Sequence, residues 1–329
     1  MSGKNPYYDG PVSDHFDGLR FFNPHHPDTD RSLRQMLQWK LGEKAAPWPK
    51  SVPVRQAIPE ARIEKLRVTM VGHATLLIQS AGLNILTDPL WSDRSSPVSF
   101  AGPRRVTLPG IAFSDLPPID IVLLSHNHYD HLDVATLRHL HAAHDPLIVT
   151  PLGNDAIVRR AIPQARLLTG DWGNRLPIEG GAEAHIVPAY HWSARGMGDR
   201  RMALWGGFML RTHAGLIYFA GDTGYGDGAI FRSMREAYGP VDVALLPIGA
   251  YAPRWFMADQ HTDPDEAVRI MLDLEARYAI GIHWGSFQLT DEAWEAPPAL
   301  LQAALSRRGI DAARFPAALP GDIFDYALN

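Results

Sequence analysis

Ile119-Asp120-Ile121-Val122-Leu123-Leu124 runs directly into Ser125-His126-Asn127-His128-Tyr129-Asp130-His131-Leu132-Asp133. The apolar run predicts a buried strand that ends where the polar residues begin. Beyond it, His126, His128, Asp130 and His131 place four metal-ligand side chains within six residues. In a tight turn after a strand, this spacing sends His126 and His128 to one centre and leaves Asp130 and His131 to face a second. Imidazole nitrogen and carboxylate oxygen suit zinc, but also iron or manganese, so the donor set alone does not name the metal. A single histidine in a polar loop is ordinarily just solvated. Three histidines and an aspartate at this spacing behind a buried strand point to metal.

Working outward, other apolar runs end in the same kind of residue. Residues 216–220 lead into Gly221-Asp222-Thr223-Gly224-Tyr225, and an aspartate at the end of a buried strand needs a compensating partner. The flanking glycines let the backbone turn tightly and approach a site closely. Residues 278–282 lead into His283-Trp284-Gly285, and residues 185–188 run through Ala189-Tyr190 to His191. His185, by strand alternation, is an ordinary polar position. His73 and Asp88 also close strand-like runs, in Val71-Gly72-His73-Ala74-Thr75 and Leu86-Thr87-Asp88-Pro89.

The 329 residues are 46% hydrophobic and carry a formal net charge of −5. That is enough apolar side chain for a sizeable core, and it lacks the basic field that broad nucleic-acid binding needs. With no cysteine there is no disulfide, thiolate ligand or thiol nucleophile. The N-terminal stretch lacks the apolar core of a signal peptide, and no run is long enough to span a membrane. The expected location is the cytoplasm, with at most peripheral contact at the inner membrane face.

The chain is expected to form one domain over residues 1–329, with 1–59 as an N-terminal arm and helix wrapping the core. His15, His25 and His26 in the arm read as surface histidines. A helix over 30–41, capped by Asp30 or Ser32, would present Leu33, Met36, Leu37 and Leu41 as one apolar face. Runs at 67–71, 75–79 and 83–87 predict an antiparallel meander. The loop at 91–110 holds Arg94, Arg104 and Arg105; one of the last two is a candidate for meeting a phosphate, although paired arginines are usually solvated surface. Helices are expected over 135–143, 155–162 and 264–278, the last with Asp263 as cap and Pro264 first. Residues 291–309 read as a helix broken near Pro297-Pro298. Trp255-Phe256-Met257, beside Arg254, either pack inward or line a substrate entrance.

His126-x-His128-x-Asp130-His131 resembles the signature of the metallo-β-lactamase superfamily. The fuller string from Ser125 to Asp133, with Ala220-Gly221-Asp222-Thr223-Gly224-Tyr225, is similar to its N-acyl-phosphatidylethanolamine-hydrolysing phospholipase D branch. The resemblance covers roughly residues 60–290. It implies a four-layer αββα sandwich in the α/β class, with His126, His128 and His191 on one metal. Asp130, His131 and His283 would hold the other, with Asp222 bridging. His73 and Asp88 would lie close by, Asp88 accepting a hydrogen bond from a ligand imidazole; the plain alternative is a cap before Pro89. Asp130, Asp222 and His261 are the catalytic candidates, His261 orienting substrate or protonating a leaving oxygen. Arg254 and Trp255 are candidates for positioning or touching substrate.

The expected cofactors are two divalent ions, zinc ahead of manganese or iron. The expected activity is hydrolysis of a lipid-like phosphodiester, with a small-ester or lactone hydrolase as the alternative. A diiron oxygen reductase would pair similar ligands with a flavin-binding domain, for which no segment remains. No nucleic-acid partner is expected.

Overall fold

The computed structural model describes residues 4–27, 29–42 and 44–327. Its strands come in two similar series. β1 (Leu66–Gly72), β2 (Thr75–Ser80) and β3 (Leu83–Thr87) form the expected antiparallel meander. β4 (Ile121–Leu123), β5 (Leu147–Pro151) and β6 (Leu167–Gly170) extend it in parallel. After β7 (Arg175–Pro177), a second meander follows: β8 (Glu183–Val187), β9 (Gly207–Thr212) and β10 (Gly215–Phe219). β11 (Val243–Pro247) and β12 (Tyr278–Ile282) continue that sheet in parallel. β13 (Ile323–Tyr326) returns to pair with β1. The result is a seven-stranded sheet, β13-β1-β2-β3-β4-β5-β6, facing a six-stranded one, β12-β11-β10-β9-β8-β7.

Alternation along each strand explains why the strands read as unbroken apolar runs. Ile121 and Leu123 point between the sheets with Ile217, Phe219, Val243 and Leu245. Their neighbours Val122 and Leu124 point outward, where α2 (Val134–His144) and α3 (Asn154–Ala161) supply Leu137, Leu140, Ile157 and Val158. On the other outer face, Tyr218, Ala244 and Leu246 meet α4 (Ala229–Tyr238), α6 (Pro264–Asp273) and α7 (Ala296–Arg307). Four layers follow, helix–sheet–sheet–helix, as the resemblance implied.

Helix ends obey local chemistry. Asp133 caps α2 by accepting from Ala135 N, and Asp263 and Glu266 form a capping box on α6 with Pro264 in the first turn. α6 stops at Asp273 instead of 278, because residues 278–282 are claimed by β12. The break expected near Pro297-Pro298 is absent. Both prolines lie in the first turn of α7, where no intrahelical N–H is needed.

α1 (Leu33–Leu41) carries the expected Ser32 cap, in a capping box with Gln35, but its apolar face is turned the other way. Leu33, Met36, Leu37 and Leu41 are 79%, 46%, 59% and 81% exposed. The helix is anchored on its opposite side: Trp39 stacks near Phe256 and donates to Asp291, and Arg31, just before the helix, donates to Phe256 O and Asp259. Specific polar contacts, not burial of the apolar stripe, set its orientation.

The arm before it packs Phe16 and Phe21 against Ala189, Leu204 and Trp205. His15 is no surface residue: it is buried between Asp14 and Asp171 and stacks on Trp172. His26 stacks on Tyr190, while His25 is exposed. Residues 1–3 of the arm lie outside the described residues. Among the described residues no helix is long and apolar enough to cross a membrane.

Candidate metal centre

The ends of the parallel strands and the turns beside them deliver the polar residues to one edge of the sandwich. β4 ends before the turn carrying His126 to His131, β8 before His191, β10 before Asp222, and β12 directly before His283. The β1–β2 turn adds His73 and the end of β3 adds Asp88. Among the described residues four overlapping groups result, and two of them divide most of the ligand candidates: His126, His128 and His191 in one, Asp130, His131, His283 and His73 in the other. In the first, His128 Nδ1 lies 2.9 Å from His126 Nε2 and 3.2 Å from His191 Nε2. In the second, His131 Nε2 lies 3.2 Å from His283 Nε2, and Asp130 Oδ2 is 3.0 Å from His73 Nε2 and 3.3 Å from His283 Nε2. Asp222 stands between them. Its carboxylate is 3.2 Å from both His131 Nε2 and His283 Nε2, 3.7 Å from His191 and 3.9 Å from His126.

The nitrogens facing away from the cluster are held by the protein. His131 Nδ1 donates to Asp88 Oδ2 at 2.6 Å, and the same carboxylate accepts from Ser125 N and Ser125 Oγ. His191 Nδ1 donates to the Gln260 carbonyl at 2.9 Å. Such contacts fix tautomer and ring orientation, leaving Nε2 directed inward. The backbone is strained where it delivers the site. His73, Asp88 and His283 all have positive φ, at 59°, 31° and 59°. For residues with a Cβ this costs on the order of 1–3 kcal/mol each and persists only where the surroundings over-determine it.

Burial dominates the protonation of the first cluster. It pushes the His128 imidazole down to about 4 and holds His126 and His191 well below the ordinary value, keeping their lone pairs free for a cation. In the second cluster burial acts the same way on His131, but Asp222, Asp130 and Asp88 outweigh it and raise its pKa. Asp222 is also buried, yet His131 and His283 keep it ionised.

The residues present fit a cation-binding group. Imidazole nitrogens converge on one another at close range, and Asp222 Oδ1 and His261 Nδ1 are buried without a hydrogen bond. These are the donor types that divalent transition metals take.

His261 lies beside this edge, its Nδ1 3.9 Å from Asp222 and its ring 5.0 Å from that of His191. Arg254 donates to the His261 carbonyl and pairs with Glu266, so it braces the loop. The Trp255-Phe256-Met257 triplet, in the short helix α5 (Arg254–Met257), divides. Phe256 and Met257 are buried, and Trp255 is 48% exposed. Neither paired arginine meets the site; Arg104 is exposed, and Arg105 is buried, donating to the carbonyls of Leu90 and Ser92.

Several supporting residues were not legible beforehand. Asn23 donates to the His191 carbonyl, His26 bonds the Asp259 carbonyl, and Ser286 Oγ accepts from His73 N. None of these three offered a local signal, unlike Ser125, which adjoins the histidine turn and bonds Asp88. Asn23 and His191 are 168 residues apart.

A family model described as a beta-lactamase superfamily domain matches residues 83–284, the span that holds β3 to β12 and most of both clusters. The chain belongs to the beta-lactamase superfamily. By family it is a metal-dependent hydrolase whose His/Asp cluster is able to bind metal. An uncharacterized protein of Mycobacterium tuberculosis is 34% identical over 303 residues, covering 90% of this chain and 79% of that one. The N-acyl-phosphatidylethanolamine-hydrolyzing phospholipase D 1 of Caenorhabditis elegans is 37% identical over 252 residues, or 74% of this superfamily member and 70% of the worm protein. Among solved structures, Igni18, a metallo hydrolase of Ignicoccus hospitalis, superposes with a TM-score of 0.58 at 20% identity. The match covers 80% of this chain and 99% of that one, a likeness of fold.

Proposed function

We propose that this superfamily member is a dinuclear phosphodiesterase of the phospholipase D type, cleaving an N-acyl-phosphatidylethanolamine-like diester to phosphatidic acid and an N-acylethanolamine. The observation that carries the two-metal reading is Asp222, whose carboxylate lies within 4 Å of imidazoles from both clusters. His126, His128 and His191 would hold one ion, Asp130, His131 and His283 the other, with Asp222 shared. Divalent ions held there, zinc foremost, would supply Lewis acidity and an acidified water. His73 then steadies Asp130, and Asp88 holds the ring of His131. His261, with a free buried Nδ1, orients the diester or its leaving oxygen. The lipid diester is suggested by the similarity to the worm phospholipase D.

The test loads the protein with zinc or manganese and supplies dispersed N-acyl-phosphatidylethanolamine, with products followed by mass spectrometry. Phosphatidic acid and free N-acylethanolamine are expected from the wild type. Asp222→Ala should lose metal and turnover while its circular dichroism stays native. Full activity and two bound metals in that variant refute the bridging role. A fully metallated wild type without turnover refutes the lipid and directs the search to lactones and small esters.

A further inference from the structure

Beside the histidine turn lies a cavity of about 450 Å³, bordered by Tyr129 and Leu132. Three guanidinium groups line it, from Arg94, Arg138 and Arg195, together with the hydroxyls of Ser92, Ser96 and Ser99. All three are held by backbone carbonyls. Arg94 donates to the carbonyls of Ser99 and Gly102, Arg138 to that of Ala161, and Arg195 to those of Asn127 and Leu132. Among the described residues, none of these three guanidinium groups forms an ion pair with a carboxylate; Asp199, the acid beside Arg195, accepts from its backbone N–H at 3.1 and 3.2 Å. This holds in a chain with net charge −5, where most other arginines have an acidic partner.

Two acidic residues also border the cavity. Asp133 is consumed by the helix cap and by Ser92, accepting from Ala135 N, Ser92 N and Thr136 Oγ1. Asp93 is exposed at the rim. Arg195 is largely desolvated, its guanidinium carbon 4.0 Å from the centroid of the Tyr129 ring, and burial lowers its pKa. Half-buried positive charge without a counter-ion is costly unless an anion completes it.

We propose that this cavity is an anion site for a phosphate ester, separate from the metal cluster and independent of the reaction assigned to it. Guanidinium forks match phosphate oxygens in bidentate geometry, and three such charges exceed what one carboxylate would neutralise. The phosphate comes either from a soluble ester or from a lipid headgroup. Phe100, 81% exposed, and Met197, fully exposed, sit on the two loops that flank the cavity, where a bilayer would lie beside a bound headgroup.

The test titrates metal-loaded protein with inorganic phosphate by calorimetry, comparing wild type with Arg94→Gln/Arg138→Gln. Neither residue touches the metal cluster, so phosphate binding there is common to both proteins. The wild type should show a binding event that the double variant weakens about tenfold or more, the worth of one or two charge-assisted hydrogen bonds. Arg138 is exposed on α2, so Arg138→Glu supplies a second variant that keeps its fold if the double one does not. Metal content and melting temperature without phosphate should match the wild type.

Sedimentation with phosphatidylglycerol vesicles, against phosphatidylcholine, separates the sources. Binding by the wild type that both variants lose assigns a lipid headgroup, and no vesicle binding assigns a soluble ester. Phosphate titrations identical in wild type and variants overturn the site.

Discussion

Asp88 concentrates the residue-scale logic of the site. Fully buried, its carboxylate receives His131 Nδ1 and both polar groups of Ser125, and Ser125 Oγ lies 2.9 Å from His126 Nδ1. One carboxylate therefore orients an imidazole of each cluster. Asp88→Asn keeps the size but can turn an N–H against His131 Nδ1, favouring the wrong tautomer. Metal affinity should fall about 10–100-fold, as when the supporting partner of a ligand histidine is removed. Competition with a chromophoric chelator measures it, and unchanged affinity would reduce Asp88 to a cap before Pro89.

At the scale of elements, two helices with similar apolar patterns have opposite fates. Leu137 on α2 is buried against β4 and β5, whereas Leu37 on α1 faces solvent. Leu137→Ala should cost about 2–5 kcal/mol of stability, and Leu37→Glu should stay within about 0.5 kcal/mol, both read from urea unfolding.

α6 and α7 are clasped by Asp265, which accepts from Arg308 and Arg307 and also meets Arg269. The Arg308 hydrogen bond, reinforced by Arg307 and Arg269, depresses the Asp265 pKa. A depressed carboxylate contributes stability that is present above its unfolded pKa, near 4, and lost as pH falls through the folded value. After solvent screening the contribution is about 1 kcal/mol. Asp265→Asn should therefore lower the melting temperature at pH 7, with the gap to wild type narrowing only as pH falls below about 4 and closing toward the depressed folded pKa. A gap that persists into acid would mean the clasp is packing, not charge.

At the scale of the molecule, the two sheets share one interior while the His/Asp cluster sits at their common edge. Residues 73, 88, 126–131, 191, 222 and 283 come from both halves, so a bound cation ties the halves together. Ion that binds only the folded state stabilises it by mass action, about 2.7 kcal/mol at a hundredfold excess over Kd. Chelation should lower the melting temperature, and restored zinc or manganese should recover it. Equal melting curves with and without chelator would show that the edge holds without metal.

The histidine turn, the buried strands and the later strand ends at His191, Asp222 and His283 were legible because their signals are local. Ligand spacing after an apolar run needs only neighbouring residues to be recognised, and strand alternation needs only a period of two. From those residues the superfamily resemblance, and with it the fold, could be read. Local sequence could not say which way α1 faces, since its apolar stripe looks the same whether it meets a core or water. That was decided by Trp39 and Arg31 reaching partners more than 200 residues away. The burial of His15, the bracing role of Arg254 and the unpaired arginines beside the histidine turn have the same origin. A side chain's partner is set by where the chain returns in space, and tertiary packing alone determines that.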